Sequence, residues 1–268
     1  MTTIPEEIEK YRDRKWRREE TLKIDKAEQV EDMVEDLGFC LALTDSRTPL
    51  PSIYIAVCGR RDVHAPKNVQ KDLETSAAWV LKDEAMKRGK VYYSKLVKGR
   101  AMFVAPRLIP YFNAIHGVPK SLEEVTLTLD AQTILKTLQE EWESSTSDLK
   151  EETNIHDRKR LTKGLEELQR AMKVIPYEVL YKPKFTYLWT LAEARFMAEL
   201  AEKVSSEEAI KELAKAFLKM CGMTFRGDLA RAIGVPGKKA GYANHQLVDE
   251  GFAERVEEGV YKLKNFSQ

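Results

Sequence analysis

The sequence has little of what marks a secreted or membrane-spanning protein. It contains three cysteines, an odd number spread far apart, which excludes a disulfide framework. Its longest apolar runs, at 37–43 and 53–58, are much shorter than the roughly 20 residues of a membrane-spanning helix. Residues 1–18 are charged and lack the apolar segment of a secretion signal. We therefore expect a reduced, cytoplasmic protein with no membrane contact.

The chain also lacks a charge excess of either sign. It has 44 basic and 43 acidic residues, a formal net charge of +1, which excludes a highly basic protein that coats nucleic acid. Any surface that binds nucleic acid must therefore come from local clustering of basic residues. Hydrophobic residues make up 43% and charged residues 32% of the sequence, so the chain as a whole is not disordered.

Familiar catalytic motifs are missing as well. The sequence holds no GxxxxGK[ST], GxGxxG, HExxH, GxSxG or CxxC motif. Its four histidines are isolated from one another and from the cysteines, so we expect no metal and no cofactor. Cys58 precedes Arg60 and Arg61, which could activate a thiolate. A buried, inert cysteine is the favoured interpretation, because the apolar residues before it are typical of a core.

The C-terminal third is the most informative part of the chain. Apolar residues in 210–221 recur at helical spacing and predict a helix. Thr224 is predicted to cap a short helix that ends at Gly234, and Pro236 to open a third helix that ends at Gly251. Two short strands, 252–256 and 260–264, follow as a hairpin. This order is typical of a winged helix–turn–helix.

The same order of elements occurs upstream. A helix beginning near Thr128 is followed by a short segment around Leu149 and by a long helix with its apolar stripe starting at Leu161. Two predicted strands, 174–180 and 185–191, complete a second winged helix with a longer wing. The two units share the order of their helices and strands but not their amino-acid sequence.

The predicted fold class is therefore α+β, with tandem winged helix–turn–helix domains. We predict a basic, partly helical N-terminal arm at 1–20 and an α+β domain at 21–120, for which a winged helix is one interpretation. The middle winged helix is assigned to 121–200 and the C-terminal one to 201–268.

Two features support the domain at 21–120. Asp25 and Glu28 resemble the capping box of a helix that ends at Gly38. Segments 89–97 and 100–105 resemble a hairpin.

Charge is strongly segregated within the nearly neutral total. Between Met86 and Lys120 there are eight basic residues and no acid, whereas 122–152 holds nine acids and two lysines. Five aromatic residues interleave with the basic ones: Tyr92, Tyr93, Phe103, Tyr111 and Phe112. Two interpretations stay open, namely phosphate contact with base stacking, or core aromatics in a hairpin with a solvated basic face.

The third helix of a winged helix usually enters the major groove, and the wing contacts the backbone or minor groove. The segment 153–195, which contains the third helix and wing of the middle unit, has nine basic and five acidic residues. Such a surface binds DNA with steep salt dependence; the alternative is an ordinary solvated helix face.

The C-terminal unit gives a weaker indication of DNA binding, since its wing is acidic at Glu257 and Glu258. The predicted DNA-binding residues are Arg158, Lys159, Lys163, Lys182, Lys184, Lys95, Lys98, Arg100, Lys238, Tyr242 and His245.

Several segments resemble the AlkZ-like winged-helix DNA glycosylases. Leu37-Gly38-Phe39-Cys40-Leu41-Ala42-Leu43 and then 50–61 are similar to the opening of that family, and 91–112 and 161–191 to later parts. The resemblance spans about residues 22–268. It implies tandem winged helices, excision of alkylated or cross-linked bases, and no metal requirement.

The sequence departs from that family at the catalytic signature, which is Gln, an apolar residue, then Asp or Gln. The resemblance places Leu41 and Leu43 at the two polar positions. Leucine neither orients a water molecule nor stabilises the positive charge that develops on the sugar. Asp45 is the nearest carboxylate and the first replacement candidate, against a role in capping a turn beside Ser46.

The favoured interpretation is a protein that binds double-stranded DNA, damaged or intact, and is related to these glycosylases but catalytically inactive. One alternative is an active DNA glycosylase that uses a relocated acid such as Asp45. Another is a winged-helix regulator or scaffold with a protein partner, which the acidic stretch 122–152 and the acidic C-terminal wing favour. Oligomeric state and DNA preference are left open.

Overall fold

The computed structural model describes residues 4–45, 48–64 and 71–264. After the N-terminal helix α1 (Glu6–Lys15), the first unit places one strand between its first two helices and ends in a hairpin. Its elements are α2 (Ala27–Leu37), β1 (Phe39–Leu41), α3 (Ile53–Cys58), α4 (Leu73–Arg88), β2 (Tyr92–Lys95) and β3 (Ala101–Val104). Helix α5 (Ile109–His116) leads out of this unit.

The middle unit repeats that order after the short helix α6 (Glu123–Thr126). It consists of α7 (Leu129–Glu141), β4 (Glu143–Ser145), α8 (Thr146–Glu152), α9 (Arg158–Arg170), β5 (Val174–Leu180) and β6 (Thr186–Leu191). Helix α10 (Glu193–Ala201) connects it to the C-terminal unit. That unit consists of α11 (Ser206–Cys221), β7 (Met223–Thr224), α12 (Asp228–Ile233), α13 (Gly237–Asp249), β8 (Ala253–Glu257) and β9 (Val260–Leu263).

Each unit contains one small antiparallel sheet with the same strand order. The orders are β1-β3-β2, β4-β6-β5 and β7-β9-β8, so the strand from between the helices pairs with the second strand of the hairpin. This arrangement is that of a winged helix, and it occurs in the first unit as well as in the other two. The α+β prediction is confirmed; the domain boundaries at 20, 120 and 200 stay predictions.

Two predicted helix caps are wrong. Helix α2 begins at Ala27, and the Oε1 atom of Gln29 accepts hydrogen bonds from the backbone N–H groups of Asp25 (2.8 Å) and Lys26 (3.1 Å). The amide side chain of Gln29 thus does what we assigned to Asp25 and Glu28. Thr224 lies in β7 rather than at a helix start, and Asp228 closes the turn before α12 by accepting from the N–H of Phe225 (3.0 Å).

The hydrophobic core is shared between the first and C-terminal units. Buried side chains of α2, β1 and α5 pack in one cluster with those of α11 and α13. The middle unit has a separate core, in which Ile134, Leu149 and Leu168 are fully buried. Among the described residues, two large cores therefore serve three winged helices, beside a small cluster of Ile8, Met223 and Val260.

The N-terminal segment is packed on both of these outer units and is not a free basic arm. Arg12 is buried and donates to the carbonyl oxygens of Cys221 (2.8 Å) and Met223 (2.9 Å). Trp16 Nε1 donates to the carbonyl of Met220 (2.9 Å). Arg18 pairs with Glu9 (2.6 Å), so acidic neighbours neutralise part of the positive charge. Among the described residues, no helix is long and apolar enough to span a membrane.

Candidate functional site

A cleft of about 1020 Å³ lies between the first and middle units. The first unit contributes the segment after β1, the inner face of α4, and its wing β2–β3. The middle unit contributes one face of α9 and the outer end of β6. Such a volume is at the upper end of the range of small-molecule pockets, and it is large enough for a nucleotide.

The last residue of β1, Leu41, and Leu43 in the segment that follows lie in different surroundings. Leu41 pairs with Met102 in the sheet and is only 1% exposed, so its side chain belongs to the core. Leu43 is partly buried and lines the cleft. Neither side chain supplies a polar atom to the cleft.

Asp45 also lines the cleft, and a guanidinium lies beside it. One carboxylate oxygen is 3.8 Å from Nε of Arg100, and both side chains are largely buried. Arg100 is fixed in turn, since it donates to the carbonyls of Val97 (3.2 Å) and Arg231 (2.9 Å) and to Thr48. The carbonyl of Asp45 accepts from the N–H of Thr48 (3.0 Å), which closes a turn, whereas Ser46 lies outside the described residues.

The aromatic residues of the basic stretch are mostly core. Tyr92, Phe103 and Phe112 are completely buried, and Tyr111 packs against the same core. The base-stacking interpretation is therefore wrong for these four rings, because the core covers them: Tyr92 and Phe103 from the two strands of the hairpin, and Tyr111 and Phe112 from α5. Tyr93 is the exception, since it lines the cleft.

Sequence reasoning missed the aromatic wall of the cleft, which consists of Trp79 on α4 and a row along β6. Tyr187 and Trp189 stand at alternate positions of β6 and share one face of the strand, and Phe185 continues the alternation just before it. Their ring centroids are 5.4 and 5.7 Å apart. The signal was present as an alternation of aromatic residues, but alternation alone does not tell which face of a strand lies in a cleft.

At the inner end of the cleft a lysine lies within an aromatic cage. Lys82 is only 3% exposed, and its Nζ atom is 4.5 Å from the ring centroid of Trp79 and 5.4 Å from those of Tyr93 and Tyr187. Nζ also donates to the hydroxyl of Tyr187 (3.2 Å) and forms an ion pair with Asp83 (2.5 Å). The ring of Trp79 thus already holds a cation, and the hydroxyl of Tyr187 is bonded to the same amine.

The predicted DNA-binding residues of the first and middle units fall into three groups. Lys95 and Arg100 line it but have partners, since Lys95 Nζ is 2.7 Å from Glu166 on α9. Arg158, Lys159 and Lys163 are exposed at the start of α9, and Arg158 lines the cleft. The remaining residues of this region are exposed in wing turns: Lys98, Lys182 and Lys184.

The C-terminal candidates are not brought to this cleft. Lys238 and Tyr242 are exposed on α13 and line a separate hollow. The Nε2 atom of His245 is 3.2 Å from the hydroxyl of Tyr261, which ties this ring to β9. No residue of α13 is among the described residues that line the cleft.

Burial decides whether Cys58 is an activated thiolate or an inert cysteine of the core. Cys58 is fully buried, and desolvation, with a hydrogen bond to Glu74, raises the pKa of its thiol to about 12. The thiol is therefore not activated by Arg60, whose guanidinium pairs with Glu74 instead. In the part of the chain that the structure describes, no three His, Cys, Asp or Glu side chains are grouped so that they could hold a metal ion.

A family model and a solved structure are similar to this chain of three winged-helix units. The family model described as "AlkZ related" matches residues 24–234. The chain belongs to the AlkZ-related family. Among solved structures, the Streptomyces sahachiroi DNA glycosylase AlkZ is similar, with a TM-score of 0.55 and 15% sequence identity over 94% of this chain and 69% of that chain. At this identity the likeness establishes an AlkZ-like fold. No curated protein matches the chain.

Proposed function

We propose that this AlkZ-related protein binds DNA through its tandem winged helices and does not hydrolyse the N-glycosidic bond. The observation that carries the proposal is the start of α9, the third helix of the middle unit. Arg158, Lys159 and Lys163 are exposed there, and Arg158 also lines the cleft.

The start of α9 is suited to bind phosphate. Asp157 caps the helix by accepting from the N–H groups of Lys159 (2.7 Å) and Arg160 (3.3 Å), so its charge lies next to the first turn. The helix N-terminus and three basic side chains offset that single carboxylate. In winged helices this end of the third helix usually meets the major groove, and the wing with Lys182 and Lys184 meets the backbone.

The proposed inactivity depends on Leu41 and Leu43. If these residues occupy the two polar positions of the glycosylase signature, apolar side chains replace the polar atoms that would activate a water molecule. The neighbouring Asp45 has the guanidinium of Arg100 beside it, and this positive charge weakens the attraction of the carboxylate for positive charge on a sugar.

DNA binding is tested by fluorescence anisotropy with a labelled duplex over a salt series. Replacing Arg158, Lys159 and Lys163 together by Gln is expected to weaken binding and to flatten the log–log salt slope by about 2 to 3, because about three phosphate contacts are lost. The matched control replaces the exposed Lys10, Lys136 and Lys203 by Gln, which removes the same charge elsewhere. Equal slopes for both triple variants would contradict the proposal and favour a protein-binding scaffold.

Inactivity is tested with the same preparation on a duplex that contains 7-methylguanine. We expect the base to stay attached after long incubation. Release that disappears in Asp45→Asn would establish the rival interpretation, an active glycosylase with a relocated acid.

A further inference from the structure

The aromatic row of the cleft continues outward into the wing of the middle unit. From Trp189 and Tyr187 it runs to Phe185 and then to Tyr181, whose ring centroid is 5.7 Å from that of Phe185. Exposure rises along the row, from 7% for Trp189 to 48% for Phe185 and 57% for Tyr181. The outer rings are therefore open to a ligand, whereas the inner ones are packed.

The inner end of the row is closed by groups of the protein itself. Lys82 Nζ donates to the hydroxyl of Tyr187 (3.2 Å), and Trp189 Nε1 donates to Thr146 (2.8 Å). Tyr181 is held in place through its hydroxyl, which donates to Asp83. A flat ligand that enters the cleft thus meets the rings of Phe185 and Tyr181 first, in fixed positions.

Positive charge flanks these outer rings. Lys182 and Lys184 lie between Tyr181 and Phe185 in the chain and are exposed, and Arg158 stands at the mouth of the cleft on α9. Exposed aromatic faces interleaved with basic side chains suit a strand whose bases stack and whose phosphates pair. The pattern fits nucleic acid better than an apolar ligand.

Base faces are available only where a strand is unpaired. In a duplex, each base is covered above and below by its neighbours, so a recessed ring meets groove edges or phosphates. A cleft of about 1020 Å³ admits more than one base, whereas a complete duplex must stay outside. The outer row is therefore suited to single-stranded rather than paired DNA.

We propose that this cleft binds an unpaired stretch of DNA, with bases stacked on Phe185 and Tyr181 and phosphates paired with Lys182, Lys184 and Arg158. The proposal rests on the DNA binding proposed above and adds the form of DNA that the cleft takes.

The test compares a fluorescein-labelled 15-nucleotide oligo(dT) with a 15-base-pair duplex by anisotropy at one salt concentration. Phe185→Leu removes an exposed ring and is expected to weaken oligo(dT) binding about tenfold, since one base loses the aromatic face on which it stacks. Duplex binding is expected to change less than twofold. The matched control is Trp142→Leu, which removes a 67% exposed ring that does not line the cleft.

A second variant and a second signal separate stacking from folding defects. Tyr181→Phe keeps the ring and is expected to retain oligo(dT) binding, whereas Tyr181→Leu is expected to lose it. Oligo(dT) is also expected to quench the tryptophan fluorescence of the unaltered protein, because Trp79 and Trp189 line the cleft.

Each failure has a distinct meaning. Duplex binding without oligo(dT) binding would overturn this inference and leave the proposed function intact. Loss of both would overturn both. Oligo(dT) binding that Phe185→Leu and Trp142→Leu change equally, or that leaves tryptophan fluorescence unchanged, would place the strand elsewhere and overturn the inference.

Discussion

Arg12 shows how one side chain joins distant parts of this chain. Its guanidinium is 4% exposed and donates to two carbonyls at the end of α11 and in β7, more than 200 residues away. The same helix bears Arg14, which is exposed. Sequence patterning gave both residues the same description, a charge in a basic arm, because local spacing does not show which arginine is buried.

Replacing Arg12 by Met is expected to lower the free energy of unfolding by about 3 kcal/mol. Two carbonyl oxygens lose a charged donor, and each such bond contributes roughly 1.5–3 kcal/mol. The measurement is urea denaturation followed by circular dichroism. Arg14→Met is the matched control and is expected to change stability by less than about 0.5 kcal/mol; equal losses in both variants would refute the assigned role of Arg12.

At the scale of elements, the sequence predicted well wherever the signal is local. The strands 174–180 and 185–191 agree with β5 and β6 to within one residue, and the helix near Thr128 begins at Leu129 with Thr128 as its cap. Of the two failed caps, Asp25 lies beside Gln29, whose side chain accepts from the N–H groups at the start of α2, and Thr224 belongs to β7, with Gly227 at the start of α12. Residue types alone do not decide which residue caps a helix, since the entry direction of the chain does.

The cap of α9 is the element on which the proposed DNA surface depends. Asp157→Ala removes two hydrogen bonds to the first turn and is expected to cost about 1 kcal/mol of unfolding free energy. Asp157→Asn keeps an acceptor and is expected to stay close to the unaltered protein. Thermal denaturation measures both, and equal destabilisation would show that charge rather than capping is what matters.

At the scale of the whole molecule, the two cores predict two patterns of opening. Phe217 of α11 is buried in the core shared by the outer units, whereas Leu138 of α7 is buried in the middle core. Elements that share a core lose protection together when it is weakened.

Phe217→Ala is therefore expected to cost about 3–5 kcal/mol and to speed amide exchange in α2 and α11 together. Leu138→Ala is expected to cost about 2–5 kcal/mol and to speed exchange in α7 and β6 while sparing α2. Hydrogen exchange read by mass spectrometry distinguishes the two patterns. Faster exchange throughout the chain in both variants would show a single cooperative unit instead.

The sequence by itself determined the order and type of most elements, the winged-helix pattern of the two later units, and the absence of common catalytic motifs. Those features depend on periodicity, turns and caps within a few residues. Only the tertiary structure decided which aromatic rings are core, that Lys82 lies against Tyr187 from 105 positions away, and that Lys95 pairs with Glu166 across two units. The physical reason is that a cleft forms where separate units meet, and contacts between units leave no mark in the local spacing of either one.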